Sequence, residues 1–200
     1  MILTILTLSL FFAGYAVVHS WLASAVVKQW VRDRFGPTSD RWYRLFYNNF
    51  AVVSLLPLIV LMALLPNQTL YRAPSPWRWV MVFGQLVALI GLGISLLQTG
   101  AFHFLGIQQL FAPSADSPSS LKITGVYRWV RHPLYFFGTL FMWLTPSLSV
   151  VTATVFVAFT LYFYVGSIYE ERRLIAEFGQ AYEQYQQQVP RLIPGLKVKR

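Results

Sequence analysis

Residues 125–135 read Gly-Val-Tyr-Arg-Trp-Val-Arg-His-Pro-Leu-Tyr, and the apolar stretch that follows ends in Tyr169-Glu170-Glu171-Arg172-Arg173. An Arg-His pair thus stands just before one apolar segment, and a carboxylate pair just after the next. The break at Thr145-Pro146-Ser147 divides the stretch into two legs and predicts a helical hairpin over 133–169. A hairpin returns both of its ends to one membrane face. Ionisable groups set against a bilayer are costly, so their convergence there marks a functional site. The first leg is about 13 residues, or ~20 Å of helix, too short to cross a ~30 Å hydrocarbon core alone. The second leg, at about 21 residues, is long enough. To share a turn with the long leg, the short leg must start below the membrane surface. Arg131 and His132 then lie at or within the interface, where they need protein or ligand partners.

The composition makes a membrane the setting. Of 200 residues, 56% are hydrophobic, 17% aromatic and only 12% charged, with a mean hydropathy of +0.52. A soluble domain carries about a quarter charged residues. Apolar runs fall at 2–24, 50–65, 79–97, 133–147 and 149–169, which predicts an all-α, polytopic membrane protein with about five transmembrane helices in a single domain over 1–200. The net charge of +9 invites a nucleic-acid reading, but the distribution of the charge gives a simpler one. Fourteen of the sixteen Lys and Arg lie in 25–49, 98–132 and the tail, and only Arg72 and Arg78 lie in the alternate segments. By the positive-inside rule the basic segments face the cytoplasm, so the N-terminus is outside and the C-terminus cytoplasmic, as for a bacterial inner membrane protein. No nucleic-acid partner is expected. The first run lacks a positive n-region and exceeds the ~7–15-residue core of a signal peptide, so it reads as a retained helix.

Along the chain, the second run is short and gains length if it begins earlier, with Trp42, Tyr43, Phe46 and Tyr47 at the interface. Pro66-Asn67-Gln68 ends it, Ala73-Pro74-Ser75-Pro76 makes an outer turn, and Trp77 and Trp79 anchor the third helix. Gly84, Gly91 and Gly93 in that helix let a neighbouring helix approach closely. Residues 111–120 read as a flexible loop. After Glu171, the residues Leu174, Phe178, Tyr182, Tyr185 and Val189 share one face of an amphipathic cytoplasmic tail helix, stopped by Pro190 and Pro194.

Cysteine is absent, which excludes a disulfide framework, a thiolate nucleophile and any Cys-ligated metal. The three histidines, His19, His103 and His132, lie in separate segments, so no metal site is expected. His103 reads as solvated, and hydrogen bonding to a neighbouring helix is the default for His19. Pro133 at a first helical turn leaves neighbouring N–H groups free, a natural seat for a carboxylate. Glu170 and Glu171 project about 100° apart if the helix runs through them, so one can face a cavity while the other pairs elsewhere. The chain has no complete G-x-G-x-x-G, Walker A, H-E-x-x-H or G-x-S-x-G pattern.

Three groups of residues carry a resemblance. They are Gly125-x-Tyr127-x-x-x-Arg131-His132-Pro133-x-Tyr135, then Glu170-Glu171-x-x-Leu174-x-x-x-Phe178-Gly179-x-x-Tyr182-x-x-Tyr185, then Val189-Pro190 with Pro194. In this order they resemble the isoprenylcysteine carboxyl methyltransferase-like superfamily of integral membrane enzymes, which includes phospholipid and small-thiol methyltransferases. His19-Ser20, Phe104-Leu105-Gly106-Ile107-Gln108 and Trp143-x-Thr145-Pro146 resemble its methanethiol S-methyltransferase branch and the NnrU-like proteins. The resemblance implies a five-helix core whose last hairpin and tail wrap S-adenosyl-L-methionine at the cytoplasmic side. By motif position it implies cofactor contacts at Tyr127, His132, Pro133, Leu134, Tyr135 and Glu170, with Leu121 and Lys122 lining the adenosine side. Members acting on prenylated cysteine carry a substrate-binding arginine about one turn before the first glutamate, and here that position is Gly166.

The chemistry of these residue types agrees with that cofactor. A carboxylate suits its ammonium group, free N–H groups or His132 its carboxylate, and aromatic faces its sulfonium. Without a cation near 160–169, an anionic substrate entering an apolar cavity is disfavoured by several kcal/mol or more, and a small or lipophilic thiol is favoured. A thiol enters neutral and loses its proton as it reacts, with His19 or Glu171 to accept it. Transfer to a prenylcysteine carboxylate or a phospholipid stays open as an alternative. So do an NADPH-dependent enzyme like the sterol reductases, which share Arg-His-Pro-x-Tyr, and a non-catalytic NnrU-like membrane protein.

Overall fold

The structure is a computed structural model that describes residues 1–111 and 121–196, the side chains of residues 103, 104 and 109 excepted. The loop reading for 111–120 and the solvated reading of His103 therefore fall almost wholly outside the described residues. The described residues are mostly helical, with α1 (Ile2–Ala23), α2 (Ala25–Phe35), α3 (Ser39–Val53), α4 (Leu56–Leu64), α5 (Trp77–Thr99), α6 (Ala101–Leu105), α7 (Ile107–Phe111), α8 (Pro133–Trp143), α9 (Val150–Phe178) and α10 (Gln180–Gln188). Two short strands, β1 (Thr69–Arg72) and β2 (Ser147–Ser149), and a 3-10 turn at Gly125–Arg128 complete the described elements. Four segments are long and apolar enough to cross a membrane: α1, the α3–α4 run Ser39–Leu64, α5 and α9. Their outward faces are apolar, with Leu10, Leu64 and Leu97 each more than 70% exposed, as in a polytopic membrane protein whose lipid surface has been left bare.

The chain forms two compact units. The first comprises 1–68, the described part of 100–118, and 150–155. In it the second apolar run does begin early, as α3, and a one-turn break at Ser54-Leu55 separates it from α4. There the Ser54 hydroxyl donates to the Phe50 carbonyl at 2.6 Å, and Pro57 enters the first turn of α4. Ser24 caps α2 by accepting from the Val27 N–H at 3.3 Å, and Gly36, at φ 79°, ends it. Tyr43 buries against Val27 and Val31 and donates to the Leu22 carbonyl at 2.6 Å, tying α3 to α2 and to the end of α1.

The second unit comprises 69–99 and the described parts of 119–149 and 156–200. Its centre is α5 against α8. A Cβ added at Gly91 would sit 2.5 Å from the Phe137 ring, and one at Gly84 would sit 2.7 Å from Leu144 Cδ1. These glycines let the two helices close on each other. α8 has 11 residues, about 16 Å, and cannot span alone, as its sequence length indicates. Its far end is fastened by something the sequence did not suggest. β2 pairs antiparallel with β1 (Thr69 with Ser149, Tyr71 with Leu148, Arg72 with Ser147), and the Tyr71 hydroxyl donates to the Thr145 carbonyl at 2.6 Å. The tail also departs from the expected single amphipathic helix. α9 runs without a break through Glu170 and Glu171 to Phe178, Gly179 turns the chain at φ 55°, and only then does α10 begin.

The α5–α8 packing makes a direct prediction. Gly91→Ala should destabilise the protein by roughly 1–3 kcal/mol because the ring of Phe137 must move. Gly93→Ala, where a Cβ meets nothing within 4 Å, should be neutral or slightly stabilising. Thermal unfolding of both variants in detergent, side by side, checks this.

Candidate functional site

The second unit gathers the sequence-nominated groups by three separate devices. The first is the end of α5. Gly125 has φ 61°, and a side chain there would strike Gln98. Gln98 Oε1 accepts from the Val126 N–H at 3.2 Å, and its main-chain carbonyl accepts from Lys122 Nζ at 2.8 Å. The Tyr127 hydroxyl shares a 2.7 Å hydrogen bond with Thr99. The turn carrying Tyr127 is thus pinned to the last residues of a membrane helix. Burial raises the Tyr127 pKa, so the phenol stays neutral.

The second device is the tail. The Arg131 and His132 N–H groups donate to the Pro190 and Arg191 carbonyls at 2.9 and 3.2 Å, a short ladder between the motif and the end of the chain. The Arg131 guanidinium also donates to the Gln186 carbonyl at 3.0 Å and to that of Val189. The Tyr185 hydroxyl donates to the Tyr127 carbonyl at 2.6 Å. Beneath the ladder, Tyr182, Tyr185 and Val189 pack with Leu121, Leu174, Ile175 and Phe178. Burial raises the pKa of both tyrosines, and the nearby Glu171 charge adds to the effect. The Tyr182 hydroxyl, in this buried cluster, has no hydrogen-bond partner among the described residues.

The third device is Glu171, only 2% exposed. Its Oε1 accepts from Arg131 Nε and Nη2, both at 2.7 Å, and lies 3.3 Å from His132 Nε2. Its Oε2 accepts from Gln186 Nε2 at 3.0 Å and from Arg191 Nε and Nη2 at 3.1 and 2.8 Å. One carboxylate therefore meets two guanidiniums, an amide and an imidazole. Glu170, one residue earlier and rotated about 100° around α9, is different. Its side chain is 37% exposed, and its Oε2 accepts from the Tyr135 hydroxyl at 3.0 Å and lies 3.4 Å from His132 Nδ1.

His132 stands between the two carboxylates, one at each ring nitrogen. Burial alone would lower its pKa, but the hydrogen bonds and charges of Glu170 and Glu171 outweigh burial and raise it, which favours the imidazolium form. Its face stacks on Tyr135 at 5.4 Å, and Tyr135 stacks on Phe163 at 5.0 Å, each pair only 8° from parallel. His132 also holds the N-cap position of α8 without a side-chain capping bond, with Pro133 in the first turn, so the helix opens next to these rings. Gly166 lies one turn before Glu170 on α9, and a Cβ there would meet only the Tyr135 hydroxyl, at 4.0 Å.

Of the residues nominated from sequence, Tyr127, His132, Pro133, Tyr135, Glu170 and Glu171 thus lie in one polar cluster or on the elements that build it. Leu121 packs under the tail, Lys122 reaches the end of α5, and Leu134 is partly exposed on α8. His19 belongs to the first unit, where its Nε2 lies 2.6 Å from the Tyr47 hydroxyl and its ring stacks on Tyr15 at 5.3 Å. Among the described residues no group of three or more His, Cys, Asp or Glu could hold a metal ion. Gln98, Thr99, Phe163, Gln186 and Arg191 were not nominated from sequence. The Val189-Pro190 motif between the last two marks their segment but not their side chains.

The phospholipid methyltransferase family profile matches residues 79–181. A methanethiol S-methyltransferase of Crocosphaera subtropica is 33% identical over 62% of this chain and 52% of its own length. One from a Pseudomonas species is 30% identical over 90% of this chain and 69% of its own. A protein-S-isoprenylcysteine O-methyltransferase of Tribolium castaneum is 32% identical over 60% of this chain and 43% of its own. The chain thus spans from under half to about two thirds of the length of these relatives. No solved structure matches it. The chain belongs to the phospholipid methyltransferase family of membrane proteins.

Two outcomes follow from the charge arrangement. Glu171→Gln should cost about 3–5 kcal/mol, because it strips the buried guanidinium of Arg131 of its partner, whereas Glu170→Gln should cost under ~1 kcal/mol. Thermal unfolding in detergent measures both. The raised His132 pKa contributes stability that is complete below the free value of 6.5 and is lost as pH climbs through the raised value. Wild-type unfolding temperature should fall across that window, and His132→Gln should flatten the fall.

Proposed function

We propose that this member of the family transfers the methyl group of S-adenosyl-L-methionine to the sulfur of a small or lipophilic thiol that enters from the bilayer. The observation that carries the reading is the contrast between the two glutamates. Glu171 is saturated by cations, while Glu170 keeps an open carboxylate beside an aromatic stack and the start of a helix. Those groups fit the cofactor: Glu170 would hold its ammonium, the first N–H groups of α8 and the His132 imidazolium its carboxylate, and the faces of Tyr135 and Tyr127 its sulfonium. Leu121 and Lys122 would line its adenosine side. When bound, the cofactor supplies an electrophilic methyl group. The chain supplies position and exclusion of water, which is most of what an in-line displacement needs. The residues around Glu170 and Tyr135 would hold the cofactor so that its methyl group could pass to the thiol sulfur, with S-adenosylhomocysteine as the leaving group and the thiol proton passing to water.

In this reading Glu171 positions other groups and is not the proton acceptor. Every donor around it already holds one of its oxygens, and at 2% exposure it meets no substrate. Gly166 bears on the substrate class. With glycine at 166, that position supplies no cation beside the Tyr135 hydroxyl, and the nearby His132 is already shared by two carboxylates, so the site suits an uncharged thiol over a carboxylate. The names of the bacterial relatives support the thiol, and that of the Tribolium relative supports the carboxylate alternative. By the distribution of basic residues, the cluster faces the cytoplasm.

A radiolabelled-methyl assay on purified protein, offering a small thiol and a prenylcysteine carboxylate in parallel, tests the reading. Faster transfer to the thiol is expected, and faster transfer to the carboxylate would reverse it. Calorimetric titration with S-adenosylhomocysteine should show binding that weakens roughly 10- to 100-fold in Glu170→Gln, the loss of one charge-assisted hydrogen bond.

A further inference from the structure

We propose that α2, with the start of α3, is a docking surface for anionic phospholipid headgroups at the membrane boundary. At 11 residues α2 reaches only about 16 Å, so it cannot span, yet it lies between two segments that can. It has three distinct sides. Val27 and Val31 are buried on Tyr43 of α3, which fixes the helix against the body of the unit. Val26 and Trp30, one turn apart, are 77% and 61% exposed, an apolar pair turned away from the protein. Lys28, Gln29, Arg32 and Asp33 make the polar side. A helix with one apolar side buried in protein, another left bare and a cationic polar side suits the plane of the headgroup boundary.

The bare side continues past the helix. Trp30 meets Phe35 edge-on at 6.5 Å, Phe35 meets Trp42 at 6.2 Å, and Trp42 meets Phe46 at 6.3 Å. All four rings are at least 40% exposed. This aromatic file runs from α2 onto α3, whose own apolar surface is part of a membrane-spanning run, so the surface is continuous with the lipid-facing one. Aromatic rings of this kind settle at the membrane–water boundary. Residues 25–49 carry five Lys and Arg against Asp33 and Asp40. Arg32 is engaged with Asp40 at 3.6 Å, while Arg34 and Arg41, each next in sequence to a ring of the file, are exposed. Charge complementarity therefore selects an anionic headgroup over a zwitterionic one.

The test uses the full chain in nanodiscs holding equal amounts of phosphatidylglycerol and phosphatidylcholine, with retained lipids counted by native mass spectrometry. Wild type should retain phosphatidylglycerol preferentially. Arg34→Gln with Arg41→Gln should reduce that preference by up to about fivefold per charge removed. Arg72→Gln with Arg78→Gln, an equal charge change in the second unit, should leave it intact. No preference in wild type, an unchanged preference in the first variant, or an equal loss in the second would each overturn the proposal. Seating is read separately from the fluorescence that Trp30→Phe removes. Quenching of that component by lipids brominated high on the acyl chain is expected, and quenching by aqueous iodide instead would overturn it.

Discussion

One buried carboxylate, that of Glu171, organises the second unit. Two guanidiniums, one from the Arg-His-Pro turn and one from the tail, share its oxygens with an amide from α10 and the imidazole of His132. A buried ion pair brings little net stability by itself, since desolvation offsets the attraction. What it brings is a heavy penalty for any arrangement that leaves one member alone. Residues far apart in the chain, Arg131, Glu171 and Arg191, can satisfy one another only with the tail laid along the turn. The main-chain ladder from Arg131 and His132 to Pro190 and Arg191 then follows as a consequence of that placement.

In the proposed function, that saturation is what leaves Glu170 available to a ligand. The two glutamates are chemically identical, but the helix sends them in different directions. The one facing the tail is consumed by structure, and the one facing the Tyr135 ring keeps an open carboxylate. His132 bridges them, so the ligand-facing group is oriented by the structural one through a single charged ring. Gly166, one turn before Glu170 on the same face of α9, contributes no charge of its own beside the Tyr135 hydroxyl. In the proposed function, the helix that fixes the charge balance of the tail would also favour an uncharged substrate.

Much of this was legible in the sequence, because apolar runs and ionisable residues beside them have few physical explanations. The long helices, the insufficient length of the α8 leg and the convergence of Arg131-His132 with Glu170-Glu171 follow from run lengths and from the cost of charge near lipid. The different directions of adjacent glutamates follow from helical geometry, although which one faces the ligand does not. The β1–β2 pairing was hidden because strands of four and three residues show no usable alternation. The continuation of α9 to Phe178 was hidden because the apolar run ends near Tyr169 while the backbone has no reason to stop before Gly179. Arg191 and Gln186 were missed because their partner lies at a distance in sequence that no local pattern encodes. The turn held by Gln98 and Thr99 was missed because polar residues at a helix end read as ordinary interface.

Whether Glu171 holds the tail on the site is open to one direct measurement, hydrogen exchange at the Arg131 and His132 amides in wild type and Glu171→Gln. If the ion cluster maintains the ladder, both amides lose protection together in the variant, while amides in the middle of α5 keep theirs. If both stay protected in a folded variant, the tail is held by the packing of Tyr182, Tyr185 and Val189 alone, and an organising role for Glu171 is contradicted.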